Sequence, residues 1–376
     1  MIGGPLRAAQ AAGDHWGRAT KACIEALGPL PAGVNFGVVY VTEGFADDLS
    51  SIATFLKETT GVSHWVGAVG LGVFGPLGEV RGRPGMVVLV GQLPDGAVRL
   101  FEWPGADAGN AFLAEHGTWL RAQAAVTGLV HGDPQTPAVG SLLAGLAEAS
   151  GAFVVGGLTA AGQAPTQLSG RPVAGGLSGV LFGDQILLAT GLTQGCAPIG
   201  PPHRVTQAVE NVVMTLDGRT ALEMMKEEAG ELLSRDLRAA AGLIHVGLPI
   251  AGADTHGYVV RGLLAIDPQR GWLAVAETLA TGDRVMFVRR DPNGARQDMT
   301  QMLAGLARRV DGRTIRGGIY AACVSRGAHM FGHDGREIEM IHEALGEFPL
   351  IGFAANGEFC HDRLYGYTGV LALFLS

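Results

Sequence analysis

Charge is scarce in this sequence: only 16% of its 376 residues are Asp, Glu, Lys or Arg, and no block of Lys or Arg occurs. The 27 basic residues are outnumbered by 35 acidic ones, giving a net charge of -8. A phosphate backbone would be repelled, so nucleic acid is not expected as a partner. No run approaches the roughly 18 consecutive apolar residues a membrane helix needs, because glycine and proline cut every apolar stretch. No membrane association is expected, despite a mean hydropathy of +0.25. The N-terminal segment lacks the unbroken apolar core of a secretory signal. The four cysteines, Cys23, Cys196, Cys323 and Cys360, are widely separated and form no CxxC. Free thiols in the cytoplasm fit that usage better than a disulfide framework.

Phosphate-binding signatures are equally thin. No GxxxxGK[ST] occurs. Gly70, Gly72 and Gly75 spell GxGxxG after an apolar run, but Pro76, Gly78, Gly82 and Pro84 prevent the helix that would face a pyrophosphate. Cys360, His361 and Asp362 are adjacent, a spacing that rarely converges on one metal ion, and read as a polar turn. No metal site is expected.

What the chain has in quantity is apolar material, 47% of the residues, and glycine, 59 residues. The glycines recur in a pattern of strand, helix, strand, glycine-rich turn, strand. The first strands are Val34–Val41, Ala125–Gly132 and Gly317–Ser325, and the helices Ala46–Glu58, Pro137–Ala149 and Asp334–Leu345. Pro137 suits a first helical turn and Asp334 an N-cap. The second strands end in Gly67 and Gly72, Gly157 and Gly162, and Gly352 and Gly357; Gln163 and Glu358 follow the last two pairs. Third strands are expected at Gly85–Leu93, Gly176–Phe182 and Tyr365–Phe374. The apolar runs Gly262–Ile266 and Gly271–Ala276 resemble a further hairpin expected over Ser178–Leu192. Residues 1–33 read as an alanine-rich helical extension.

This alternation predicts an α/β (or α+β) fold of repeated strand-helix-strand-strand units, forming mixed sheets with helices packed on their faces, in two related domains. Glycine turns gathered at one edge would either line a cleft or simply pack related sheets closely. Cys196 and His203, in the proline-rich run QGCAPIGPPHRVT, invite a nucleophile reading. A lone cysteine beside an apolar strand is ordinarily a packing residue, however, and the same holds for Cys323. Arg326 follows the third first-strand and would be costly to bury unpaired, so it is a candidate for an anionic ligand group or an ion pair with Glu358.

Four segments carry a resemblance across most of the chain: QGCAPIGPPHRVT, LDGRTALEMM at Leu216–Met225, CVSRGAHMFG at Cys323–Gly332, and PLIGFAANGEF with LYGYTGVLALF. Together they resemble the FIST family of sensory proteins. The resemblance implies an N-terminal FIST domain over residues 34–221 and a C-terminal one over 222–376. It also implies a small-molecule ligand, an amino acid or other metabolite, and a signalling partner such as a histidine kinase. Some relatives bind haem and respond to nitric oxide, and others occur in F-box proteins; haem binding is carried as an alternative, although no histidine falls on a matching motif position. The candidate ligand contacts on matching or adjoining positions are Gln194, Cys196, Pro198 and His203 in the first segment, and Cys323, Arg326, Asn356, Glu358 and Tyr367 in the last. Ala197 stands where a basic residue is common. The expectation is a non-catalytic sensor that signals through a separate protein. A cysteine-dependent enzyme using Cys196 or Cys323, and an interaction scaffold, are the alternatives.

Overall fold

The structure, a computed structural model, describes residues 4, 6–162, 165–230, 242–250 and 257–376. Gln163 lies outside them. By its internal contacts the chain forms two compact units, one of residues 1–193 with 299–376 and one of residues 194–298. Mixed sheets and helices make it an α/β protein. Among the described residues no helix is long and apolar enough to cross a membrane.

The larger unit contains three six-stranded sheets, each built around one parallel pair. Phe36–Thr42 runs parallel to His64–Gly70, Val126–Gly132 to Ala152–Leu158, and Ile315–Cys323 to Leu350–Ala355. A third strand lies antiparallel on the first of each pair: Gly85–Gly91, Leu177–Phe182 and Thr368–Leu375. The parallel strands are joined through the helices Leu49–Thr60, Val139–Ser150 and Arg336–Leu345, as parallel pairing requires. The strands are buried and apolar almost throughout, the composition expected where both faces of a sheet are covered. One core takes Tyr40 and Phe36 from the first sheet, Leu129 and Phe182 from the second, and Ile319, Phe353 and Phe374 from the third.

The same steric demand recurs in all three parallel pairs. A Cβ at Gly67, Gly156 or Gly352 would lie 1.9, 1.9 or 2.0 Å from the carbonyl oxygen of Val39, Val130 or Tyr320. Only glycine permits that approach. In the middle pair the residue concerned is Gly156, one position before the Gly157 of the sequence pattern.

Several local expectations are corrected. Arg7–Ala12 is a strand, paired antiparallel with Gly85–Gly91, and only Trp16–Leu27 of this segment is helical. Alanine favours helices, but small side chains at Ala9 and Ala11 pack into the core from the sheet, and the ladder uses the backbone groups. The expected hairpin over Ser178–Leu192 does not form: Leu177–Phe182 joins the second sheet, while Leu188–Gln194 lies beside Thr368–Leu375 in the third. The last expected strand is broken into Arg363–Tyr365 and Thr368–Leu375, because Tyr367 is left-handed at φ 64°. Val139–Ser150 begins two residues after Pro137. Arg336–Leu345 starts from Gly335, not Asp334, and the Gly335 N–H donates to Glu79 Oε2 at 3.0 Å.

The smaller unit is one antiparallel sheet. Its main path runs Tyr258–Arg261, Ile244–Pro249, Arg284–Arg290, His203–Val209, Val212–Leu216, Trp272–Val275, Leu263–Asp267. The last two form the expected hairpin around Asp267 to Arg270. The helix Ala221–Ala229 packs Leu222 and Met225 against Leu216 and Leu273. Cys196–Pro198 is a short strand on Arg284–Arg290.

Candidate ligand-binding corner

In the larger unit, Ile315–Cys323 ends at a tight turn: Val324 N–H donates to Ala355 O at 2.9 Å and Arg326 N–H to Cys323 O at 2.8 Å. This turn delivers Arg326 into the interior, where it is 1% exposed. Such a cation must be paired. Its partner is Glu337, from the helix Arg336–Leu345: Nε and Nη2 lie 2.8 and 2.7 Å from Glu337 Oε1. Tyr320 OH donates to the same oxygen at 2.6 Å, and the guanidinium sits 4.7 Å from the centre of the Phe331 ring. Burial disfavours the charge on Arg326, but Glu337 more than offsets it, and the pKa is raised.

Of the two roles the sequence offers Arg326, the ion pair forms with Glu337 and not with Glu358. Glu358, fully buried on Glu358–Cys360, instead accepts from Thr368 N–H at 3.1 Å and Thr368 Oγ1 at 2.6 Å, both through Oε2. Desolvation pushes its carboxyl up to about 8, although Thr368 and Arg326 work in the opposite direction. Cys323 leans on this carboxyl as a weak donor, while the N–H groups of Ser325 and Tyr367 point at the sulfur. Burial, then the proximity of Glu358, raise the thiol to about 12.

Two polar atoms in this corner have no hydrogen-bond partner among the described residues: Arg326 Nη1, a donor, and Glu358 Oε1. Each residue lies within electrostatic reach of the other. Buried polar groups are almost always satisfied, so these two atoms make the corner a candidate site. The left-handed Tyr367 adds local backbone strain of the kind that gathers at binding sites. Asn356 is exposed on the neighbouring turn, its N–H donating to Leu158 O at 3.1 Å. Outside the corner, Arg81 braces the turn by donating to Val324 O and Arg326 O, each at 3.0 Å, and pairs with Glu79. Cys360, His361 and Asp362 form the end of a hairpin, with His361 left-handed, as the polar-turn reading expects.

Glu337, Tyr320, Thr368 and Arg81 are missing from the sequence-derived set. Glu337 left a trace: it lies four residues before Ile341 and one before Ile338, on the apolar face of its helix. The others lie in strands with no such signal.

The remaining candidates belong to the smaller unit. Gln194 Nε2 donates to Tyr258 O at 3.0 Å, its backbone N–H to Asp298 at 2.6 Å, and its Oε1 is buried without a hydrogen-bond partner among the described residues. Tyr258 OH donates to Cys196 O at 2.6 Å, tying the buried Cys196 into the sheet. Pro198 is exposed. His203 is buried between two carboxylates, with Nδ1 2.7 Å from Asp217 Oδ2 and Nε2 against Glu228 Oε1. Neither nitrogen is left for Cys196. Burial opposes the imidazolium, but Glu228 and Asp217 outweigh it and the pKa is raised. Gly200 gives Glu228 its place, since a Cβ there would fall 2.0 Å from the carboxyl carbon.

An uncharacterized protein of Mycobacterium tuberculosis is 33% identical over 246 residues, and one of Mycobacterium bovis 34% identical over 244. Each match covers 56% of this chain and 62% of the relative. Residues 35–219 match the FIST N domain and residues 221–361 the FIST C domain, so the chain belongs to the FIST family.

Proposed function

We propose that this protein is a non-catalytic sensor that binds a small polar metabolite at the Cys323, Arg326 and Glu358 corner and passes its ligand state to a separate partner protein. FIST domains are in general sensory, small-ligand-binding domains of signal transduction. The observation that carries the assignment to this corner is the pair of fully buried, unsatisfied atoms, Arg326 Nη1 and Glu358 Oε1. A ligand offering an acceptor to the guanidinium and a polar group to the carboxyl would satisfy both, and an amino acid has such a pair. The thiol's pKa of about 12 supports binding over nucleophilic chemistry, which needs a thiolate near neutral pH.

A thermal-shift screen of amino acids and other small metabolites tests this. A ligand at 100 times its Kd stabilises by about 2.7 kcal/mol. The shift should vanish in Arg326→Met and shrink in Glu358→Gln. A shift that survives both substitutions overturns the assignment to this corner, and silence across a broad panel overturns the sensory reading.

A further inference from the structure

The helix Arg336–Leu345 has two polar roles on two sides. Its buried Glu337 holds Arg326, while Glu339 and Glu343, one turn apart, are exposed. Those two carboxylates, with Asp334 and Glu347, line a groove of about 730 Å³ that Ile338, Phe348 and Pro349 also line. Gly75, Pro76 and Gly78 also line it, and Leu77 of the same turn, beside the groove and not in its lining, is 79% exposed. Arg336 pairs with Glu343 at 2.6 Å and with Glu339 at 3.1 Å, and His342 lies 3.5 Å from Glu347. One arginine, with His333 3.3 Å from Glu339, among four carboxylates leaves the groove with a net negative charge.

From this combination of apolar lining, exposed leucine and acidic residues we infer that the groove docks a basic amphipathic segment of a partner protein. Charge complementarity selects the occupant: Lys or Arg on successive turns of such a segment would meet Glu339 and Glu343, which are separated by about 6 Å of helix rise. Its apolar side would cover Leu77 and the apolar lining, the helix-in-groove mode of recognition. The same helix that clamps Arg326 would then form one wall of the docking site, placing ligand corner and partner on one rigid element.

The test uses the full chain without ligand, so it stands or falls separately from the sensory reading. A fluorescein-labelled helical peptide of leucine and lysine is titrated by anisotropy against the protein. Raising salt from 50 to about 300 mM should weaken binding about tenfold or more. Glu343→Lys with Glu347→Lys should cost about tenfold, and Leu77→Ser about fivefold. Lysine at Glu58 and Glu148, exposed elsewhere on the same unit, should change binding less than about twofold. Melting curves confirm that each variant is folded. Equal weakening by the two lysine pairs means nonspecific attraction to an acidic protein and overturns the proposal. Insensitivity to Leu77→Ser, with full displacement by spermine, means a small-cation site instead and overturns it as well.

Discussion

Arg326 and Glu337 form a buried ion pair 2.7 Å apart, eleven residues apart in the chain and on different elements, with Arg326 only 1% exposed. Removing one partner leaves the other charged and dry. Glu337→Ala is therefore expected to lower unfolding free energy by about 3–5 kcal/mol, read by urea denaturation. A value under 1 kcal/mol would mean that water reaches the guanidinium.

Glu358 predicts a pH dependence. Its folded pKa, about 8, lies above its ordinary value of 4.5, so the native state holds a proton that the unfolded chain releases. The contribution to stability is complete below about pH 4.5 and is lost as pH rises towards 8. His131 and His245, pushed by burial down to about 3 and about 4, act in the opposite direction, and they do so equally in wild type and variant. Between pH 6.5 and 8 the wild type should lose more stability than Glu358→Gln; parallel curves contradict the assignment.

His203 behaves in the same direction for a different reason. Its raised folded pKa gives stability that is full below the unfolded value near 6.5 and fades as pH climbs through the folded one. A ring titration followed by NMR should give a midpoint above 6.5, and Asp217→Asn with Glu228→Gln should bring it down.

The glycine contacts yield paired opposites. Gly352→Ala puts a Cβ 2.0 Å from Tyr320 O, so a strand must shift, at a cost of about 2 kcal/mol or more. Gly140, in the helix Val139–Ser150, has nothing within 4 Å of its position for a Cβ. Gly140→Ala should stabilise by about 0.5–1 kcal/mol. Thermal melts of the two variants should move in opposite directions.

Thiol chemistry is a further check. Cys23, Cys196 and Cys323 are buried, and burial raises Cys23 and Cys323 to about 12. Iodoacetamide near pH 6 should leave these three unmodified in the native protein and label them after unfolding, as mass spectrometry would show. Rapid native labelling of Cys323 would revive the nucleophile reading.

The strands around the glycine pattern were readable because β-branched runs bounded by glycine are a local signal: Val126–Gly132 is one residue shorter than expected, and Phe36–Thr42 is displaced by a residue or two. The N-terminal strand was not, since its pairing with Gly85–Gly91 is non-local and alanine alone favours a helix. Arg326 could be singled out as a cation beside an apolar strand, but its partner depended on how Arg336–Leu345 docks. Glu358 was the partner the sequence offered, and only the packing brings Glu337 to the guanidinium instead.

The three-dimensional pairing also sets a timetable for synthesis. The hairpin Gly72–Gly75 and Gly78–Arg81 finds its sheet neighbour in Leu350–Ala355, and Leu6 N–H its acceptor in Arg316. Strand edges made early on the ribosome must wait through the whole of residues 194–298 for partners made late. Such long-range pairing folds slowly and exposes unpaired edges meanwhile. A chain cut short after residue 298 would therefore leave these edges without their partners, a weakness that the stability of the finished fold does not reveal.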